Sequence, residues 1–389
     1  MTLKTPVSKL PNTGTTIFTV MSRLAEQHGA VNLSQGFPDF DPPRRLIDLV
    51  SEHLSAGHNQ YAPMAGVVML REAIAGATKR RYGVSVDAET EITITTGATE
   101  ALFCAILALS GPGDEVVVFD PAYDSYEPAV LLAGASAVHL PLDPPDFRID
   151  WQRLRETLND RTRLVVINSP HNPTGTLLAR NDLEQLAEAL APYDCFVLSD
   201  EVYEHIVFDD SGHQSILAIP ALRERGIAIS SYGKTFHATG WKAGYAVGPA
   251  VLTAELRRVH QFCTFATTTP IQYAIADFLA EEPEHHRKLP KFYRDKRDYF
   301  LRSMAQSPFS FTPAQGTYFQ LADYSAVSEL DDVEFSRRLT AEYGVATIPI
   351  SVFYQSPPMS RLVRFCFAKE AATIDEASRR LAGLGRIDA

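Results

Sequence analysis

The feature that most constrains the fold of this chain is an alternation between short apolar runs and longer amphipathic segments. Helix-length segments, such as 98–109 and 180–190, separate most of the apolar runs. The runs have strand length, and they lie at 91–95, 115–119, 164–168, 196–199, 227–230 and 244–247. Short strands that are buried on both faces and separated by helices predict an α/β fold with a mainly parallel sheet.

The chain has 389 residues, which is more than a single hydrophobic core usually holds, so we expect two domains. The alternating pattern predicts a large domain at 48–285. Residues 286–389 are predicted to form a smaller α+β domain, and residues 1–47 an N-terminal arm with one helix and part of that small domain. The predicted elements of the small domain include a long helix near 293–304 and strands at 317–322 and 362–367.

Composition and charge argue against several classes of protein. The chain has 47 acidic and 36 basic residues and a net charge of −11, which disfavours a nucleic-acid partner. Residues 1–10 lack the apolar core of a signal peptide and no apolar run is long enough for a membrane span, so we expect a cytoplasmic protein without a membrane partner. The cysteines are scattered without a CxxC pair, and we expect reduced, buried thiols and no bound metal. They are Cys104, Cys195, Cys263 and Cys366.

Polar residues follow several of the apolar runs, where ligands of open α/β sheets bind. After 91–95, small residues at 96–99 precede a helix, and free N–H groups at a helix N-terminus favour a phosphate, although an ordinary helix cap has the same pattern. After 164–168, two prolines flank Asn172 and fix its amide, as a plain turn also does. After 196–199, Asp200 needs a cationic partner or hydrogen bonds, which a structural salt bridge also supplies.

Lys234 follows the run at 227–230 within Ser-Tyr-Gly-Lys-Thr. A P-loop is excluded because position 228 is alanine where that motif needs glycine. A lysine at a strand end, near a phosphate site and a carboxylate, can form a Schiff base with a carbonyl compound. Lys242 adds a second cation, and Arg364 interrupts an apolar strand that Arg361 is predicted to share. Such an arginine suits bidentate carboxylate binding, although an edge-strand surface position explains it equally.

In their order and spacing, these motifs resemble the fold-type I pyridoxal-phosphate enzymes, namely the class I aminotransferases. The resemblance covers almost the whole chain. It rests on the segments 172–175, 200–203, 231–235 and 240–242 and on Arg364. The segments 15–18, 32–40, 59–63 and 351–353 are similar to the subgroup of methionine and kynurenine (glutamine-type) aminotransferases. The resemblance implies a mainly parallel seven-stranded sheet in the large domain and a smaller α+β domain.

The resemblance also implies roles around a pyridoxal 5′-phosphate cofactor. Lys234 would hold the cofactor as an internal aldimine and then move the proton between the substrate Cα and the cofactor. Asp200 would pair with the pyridinium nitrogen. Tyr203 and Asn172 would hydrogen-bond the phenolic oxygen, and Tyr123 would stack on the ring.

The phosphate contacts that the resemblance implies come from two chains. Within one chain, the phosphate would be held by Gly97, Ala98, Thr99, Ser231 and Lys242. Tyr61 would reach the same phosphate from the neighbouring subunit, which implies a homodimer with shared active sites. Many relatives carry arginine where this chain has Lys242, so the contact here would be a point charge and not a fork.

Substrate binding is implied in the same way. Arg364 would bind the α-carboxylate, assisted by Asn172 and the backbone of Gly36. The candidates for the side-chain pocket are Phe18, Phe37 and Phe353. Aromatic rings suit sulfur-containing and ring side chains, although plain core packing also accounts for them.

The resulting hypothesis is a ping-pong aminotransferase that acts on an amino acid and a 2-oxo acid. It moves the amino group of L-methionine, and of aromatic or related amino acids, to the 2-oxo acid. The alternative is a kynurenine or glutamine-type aminotransferase with cysteine-conjugate β-lyase activity. A lyase would use the same Lys234 and Arg364, so the motifs do not separate the two readings.

Overall fold

The computed structural model describes residues 6–208 and 212–387. Within these residues the strands are β1 (Val31–Asn32), β2 (Ile92–Thr95), β3 (Glu115–Asp120), β4 (Ser136–Pro141), β5 (Thr162–Asn168), β6 (Phe196–Asp200), β7 (Gly226–Ser231), β8 (Gly244–Val247), β9 (Phe319–Asp323), β10 (Val345–Ala346), β11 (Ile348–Pro349) and β12 (Leu362–Cys366).

The α-helices of the described residues are α1 (Ile17–His28), α2 (Arg44–Ser55), α3 (Val68–Tyr82), α4 (Gly97–Leu109), α5 (Tyr126–Ala133), α6 (Trp151–Thr157), α7 (Arg180–Leu190), α8 (Pro220–Arg223), α9 (Tyr232–Thr235), α10 (Ala250–Cys263), α11 (Thr269–Glu281), α12 (His285–Ser303), α13 (Asp332–Tyr343) and α14 (Ala371–Leu381). Short 3₁₀ turns occur at Ile216–Ala218, Thr239–Trp241, Met304–Gln306 and Ser351–Phe353.

A seven-stranded sheet forms the centre of the fold, in the order β2-β8-β7-β6-β5-β3-β4. Only β8 runs antiparallel to its neighbours, so the sheet is mainly parallel as predicted. Alternate residues of β3 enter different hydrophobic cores: Val117 packs on one side, and Val116 and Val118 on the other. Burial on both faces explains why these strands read as continuous apolar runs.

A smaller antiparallel sheet, in the order β11-β12-β9, packs with α12, α13 and α14 around a separate core. The aromatic side chains of Tyr293, Phe300 and Phe365 are buried there. The α+β character expected for this part of the chain is therefore present. The division at residues 47/48 and 285/286 stays a prediction.

Most of the predicted strands and helices are confirmed, and the differences of most consequence are as follows. The edge strand β4 was not predicted, because Ser136 is exposed and most of its other residues are only partly buried. The helix expected near 293–304 begins earlier, at His285, and contains Pro290. Arg361 lies before β12 and is exposed, so it does not share the strand of Arg364 as expected. Cys263 is exposed at the end of α10, so the expectation of four buried thiols is wrong for this residue.

Among the described residues, no helix combines the length and the apolar character that a membrane crossing requires.

Candidate active site

A cavity of about 230 Å³ lies at the carboxyl ends of the central strands. Most of the predicted site residues line it together. They are Phe18, Gly36, Gly97, Ala98, Thr99, Tyr123, Asn172, Asp200, Tyr203, Ser231, Lys234, Lys242 and Arg364. The structure thus brings together residues that are up to 346 positions apart, from Phe18 to Arg364.

The first wall of the cavity is the N-terminus of α4, which directly follows β2. Gly97 has a φ of +75°, a backbone conformation that residues other than glycine rarely adopt. A Cβ on Gly244 of β8 would lie 2.8 Å from the backbone nitrogen of Ala98, so only glycine allows the strand to approach this helix so closely. The side chain of Lys242 lies over Gly97, where an added Cβ would be 3.1 Å from Lys242 Cε. Backbone N–H groups and a lysine therefore converge on one anion-binding corner.

The buried carboxylate at the end of β6 is held by two donors. Tyr126 donates its hydroxyl to Asp200 Oδ2 at 2.6 Å, and the backbone N–H of Val202 donates to Oδ1 at 3.3 Å. Burial raises the pKa of Asp200 to about 6, while the hydrogen bond from Tyr126 opposes that rise. No sequence pattern pointed to Tyr126, because its partner lies 74 positions away along the chain.

The amine of Lys234 lies in α9, one turn after the end of β7. Its Nζ donates to the hydroxyl of Tyr318 at 2.9 Å, and that hydroxyl donates to the carbonyl oxygen of Gly36 at 2.6 Å. Burial lowers the pKa of Lys234 to about 8, and the positive charges of Lys242 and Arg364 act in the same direction. A substantial fraction of the Lys234 side chain is therefore in the neutral form near pH 8.

Arg364 occupies the opposite wall and is only 1% exposed. Its Nη1 donates to Asn172 Oδ1 at 2.7 Å, and its Nη2 donates to the carbonyl oxygen of Ser34 at 3.1 Å. The ring of Phe319 lies 3.8 Å from the guanidinium carbon. Burial lowers the pKa of Arg364 to about 10, so the group stays charged at neutral pH, and its Nε has no hydrogen-bond partner among the described residues. A buried cation with an unused donor is suited to bind a carboxylate.

Three of the predicted site residues do not line this cavity. Tyr61 is 85% exposed and packs edge-on against Phe265. Phe37 is 44% exposed and lies beside Lys369. Phe353 is buried behind Phe18, with ring centroids 5.7 Å apart.

Several other residues that line the cavity were not predicted from the sequence. They are Gln35, Leu102, Asn168, Val202, Gly233, Thr239 and Phe319. Asn168 had a usable signal, because it is the last residue of a predicted strand and lies opposite Asp200 in the sheet register. Its side chain accepts from the backbone N–H of Asn172 at 2.8 Å and so fixes the turn that carries that residue.

The fold and the cavity together define a fold-type I transferase, with a lysine, a carboxylate and an arginine at the strand ends. The family model for aminotransferases of class I and II matches residues 28–381. The chain therefore belongs to the class I and II aminotransferase family.

Three curated relatives and one solved structure show how close the likeness is. Methionine aminotransferase of Escherichia coli (strain K12) is 56% identical over 376 residues, which span 97% of each chain. A probable N-succinyldiaminopimelate aminotransferase of Mycobacterium tuberculosis is 42% identical over 97% of this chain and 98% of its own length. A kynurenine–oxoglutarate transaminase of Dictyostelium discoideum is 33% identical over 97% and 95%. A crystal structure of an Escherichia coli methionine aminotransferase superimposes with a TM-score of 0.96 at 55% identity, over 98% of this chain and 100% of the other.

Proposed function

We propose that this chain is a pyridoxal-phosphate-dependent aminotransferase that moves the amino group of L-methionine, and of aromatic amino acids, to a 2-oxo acid in a ping-pong reaction. One observation carries the proposal. A lysine amine of lowered pKa, a buried carboxylate and a buried arginine with an unused donor line the same cavity.

The residues of the cavity fit this cofactor. The close packing of Gly244 on the backbone of Gly97 and Ala98, with Lys242 beside Gly97, places a cation at the free N–H groups of the α4 N-terminus, where a phosphate would bind. The carboxylate of Asp200 would take the pyridinium nitrogen as a cationic partner, and Tyr123 would lie against the ring. When bound, pyridoxal phosphate supplies an electron sink that stabilises negative charge at the substrate Cα.

Lys234 carries the proton chemistry in this proposal. Its pKa of about 8 suits a general base at neutral to mildly alkaline pH, because both protonation states are populated. The neutral Nζ would take up the proton that leaves the substrate Cα and pass it to the cofactor, since a return of the proton to Cα would give no net transamination. The hydroxyl of Tyr318 limits the positions of Nζ, since it contacts both the amine and the carbonyl oxygen of Gly36.

Arg364 and Asn172 position the substrate and the cofactor. The guanidinium would bind the α-carboxylate, and the oxygen of the Asn172 amide already accepts from it. This contact leaves the NH₂ group of Asn172 as the donor that we assign to the phenolic oxygen of the cofactor. Tyr203 is assigned the second hydrogen bond to that oxygen.

The preference for methionine is supported by the pocket and by the relatives. Phe18 and Phe319 line the cavity beside Arg364, and Phe353 packs behind Phe18. Aromatic rings make favourable contacts with a thioether sulfur. The relative at 56% identity is a methionine aminotransferase, and the kynurenine transaminase is more distant.

A homodimer with shared active sites is part of the proposal. Tyr61 and Phe265 form an exposed aromatic pair, and Phe262 nearby in sequence is 86% exposed. Exposed aromatic clusters of this kind suit a subunit interface. Tyr61 would then reach the phosphate that is bound in the partner subunit. A cytoplasmic location remains a separate prediction.

The test uses purified protein, L-methionine and a 2-oxo acid, with both products identified by mass spectrometry. Transamination yields the 2-oxo acid of methionine and one new amino acid in equal amounts, whereas a β-lyase acting on a cysteine conjugate releases ammonia and a thiol. Lys234→Ala should abolish turnover while leaving the fold intact. Lys291→Ala is the matched control, since that lysine is exposed on α12. Turnover retained by Lys234→Ala would contradict the proposal.

A further inference from the structure

A second group of reactive side chains is buried between α4 and α10, outside the cavity described above. Glu100 and Cys104 stand one helical turn apart on α4, and His260 projects from α10. Their ligand atoms all lie within 4.8 Å of one another. Cys104 Sγ is 2.9 Å from Glu100 Oε1, and His260 Nδ1 is 2.7 Å from the same oxygen.

The orientation of His260 is fixed by its second ring nitrogen. Nε2 lies 3.0 Å from the carbonyl oxygen of Met64, which can only accept, so Nε2 carries a hydrogen. Nδ1 is thereby directed at the carboxylate and the thiol. A histidine whose outer N–H is held by a backbone carbonyl while its inner nitrogen faces acidic groups has the arrangement of a metal ligand. The side chain is fully buried, so the orientation is set by packing as well.

The remaining groups around the cluster are also suited to a cation. Glu100 Oε2 accepts from the backbone N–H of Thr96 at 3.0 Å, which holds the carboxylate in place. Cys263 follows His260 by three residues on α10 and is exposed. Its thiol is near enough to Cys104 to contribute to the raised pKa of that residue, although burial is the main cause. Because residues three apart on a helix share a face, Cys263 lies on the same side of α10 as His260 and brings a second sulfur to the site.

We propose that Glu100, Cys104 and His260 form a binding site for a borderline-soft divalent metal ion, Zn²⁺ in the first place, with the thiol of Cys263 as the fourth ligand. Carboxylate, imidazole and thiolate are all zinc ligands, and four of them make a tetrahedral set. With zinc–ligand bonds of about 2.0–2.3 Å, the ligand atoms of a tetrahedral site stand about 3.3–3.7 Å apart. The present contacts of 2.7 and 2.9 Å would therefore open slightly to admit the ion.

The protons of the cluster balance the charge of the ion. Without metal, the hydrogen bonds need one proton on the thiol of Cys104 and one shared between His260 Nδ1 and Glu100. Binding of Zn²⁺ releases both protons and forms a thiolate and a neutral imidazole, so the three-residue cluster keeps the same net charge. The thiol of Cys263 loses a third proton when it completes the set. A site of this kind links α4 to α10 and needs no part in the reaction of Lys234.

The experiment uses the holoenzyme after removal of metals with a chelator. Cd²⁺ or Zn²⁺ is added, and one ion per chain is expected to remain after dialysis. Cd²⁺ should produce the ultraviolet charge-transfer band of a cadmium thiolate. X-ray absorption of the zinc-loaded protein should find two sulfur neighbours at about 2.3 Å.

Variants separate this site from other thiols. Cys104→Ala and Cys263→Ala should each remove one sulfur neighbour and weaken metal binding by more than about tenfold. Cys195→Ala is the matched control, because Cys195 is a buried free thiol outside the cluster, and it should bind as the wild type does. Zinc with only nitrogen and oxygen neighbours in the wild type would overturn the proposal even if a variant failed to fold. So would a cadmium band that Cys104→Ala leaves unchanged.

Discussion

Tyr126→Phe tests the hydrogen bond that holds the buried carboxylate of Asp200. The hydroxyl donates to Asp200 Oδ2 at 2.6 Å, and both side chains are buried. A hydrogen bond to a charged group contributes about 1.5–3 kcal/mol. The lower end applies here, because the backbone N–H of Val202 still donates to the other carboxylate oxygen. A loss of about 1.4 kcal/mol corresponds to a factor of ten in affinity or to one pKa unit.

The sign of the effect follows from the pKa of Asp200, which burial raises to about 6. Loss of the Tyr126 donor destabilises the charged form and raises this pKa by about one further unit. At pH 6.5 about three quarters of Asp200 would then be protonated, against about one quarter in the wild type, and the protonated form cannot offer a charge to a pyridinium nitrogen. At pH 8.5 the carboxylate of Asp200 is ionised in both proteins, so their affinities for the cofactor should become similar.

The assay is a titration of the cofactor-free protein with pyridoxal phosphate at pH 6.5 and pH 8.5. We expect Tyr126→Phe to bind the cofactor about threefold more weakly at pH 6.5, the ratio of the two ionised fractions, and to approach the wild type at pH 8.5. Tyr324→Phe is the matched control, because its buried hydroxyl donates to the carbonyl oxygen of Leu330 and contacts no residue of the cavity. Equal affinities at pH 6.5, or the same loss in Tyr324→Phe, would refute the reasoning.

Three further predictions concern the same cavity. The rate at which the cofactor-free protein captures pyridoxal phosphate should rise with pH and level off above about pH 9, because Lys234 has a pKa of about 8. A capture rate, measured by stopped-flow absorption, that keeps rising beyond pH 10 would indicate a lysine of ordinary pKa. Arg364→Lys should lower kcat/KM for L-methionine by about a hundredfold or more, because an ammonium cannot form the bidentate contact; an unchanged KM would argue against this role. Gly244→Ala should lower the free energy of unfolding by about 1–3 kcal/mol in a denaturant titration and weaken cofactor binding. Gly240→Ala, where an added Cβ meets nothing within 4 Å, should leave both the stability and the cofactor affinity unchanged.

The sequence could predict the central strands because burial on both faces leaves continuous apolar runs, as in β5 and β7. It could also predict Asp200, which directly follows such a run, and Lys234, which lies four residues after another. Contacts between distant segments leave no such pattern. Tyr318 meets the lysine across 84 positions, and the edge strand β4 is too exposed to stand out from a loop.

The cluster between α4 and α10 illustrates the same limit. Cys104 and Cys263 lie in different helices, and the sequence offered no CxxC spacing to connect them. Only the packing of α4 against α10 brings Glu100, Cys104 and His260 together. The prediction of no bound metal relied on the spacing of the cysteines in the sequence. That spacing carries no information on which helices pack against each other.

The measurement that tests the central claim most directly is the absorption spectrum of the purified holoenzyme before and after L-methionine, with no 2-oxo acid present. We predict that the visible band of the lysine-bound cofactor disappears and that one equivalent of the 2-oxo acid of methionine is formed per active site. The band should return when a 2-oxo acid is added. A band that L-methionine and the aromatic amino acids all leave unchanged would contradict the proposed reaction.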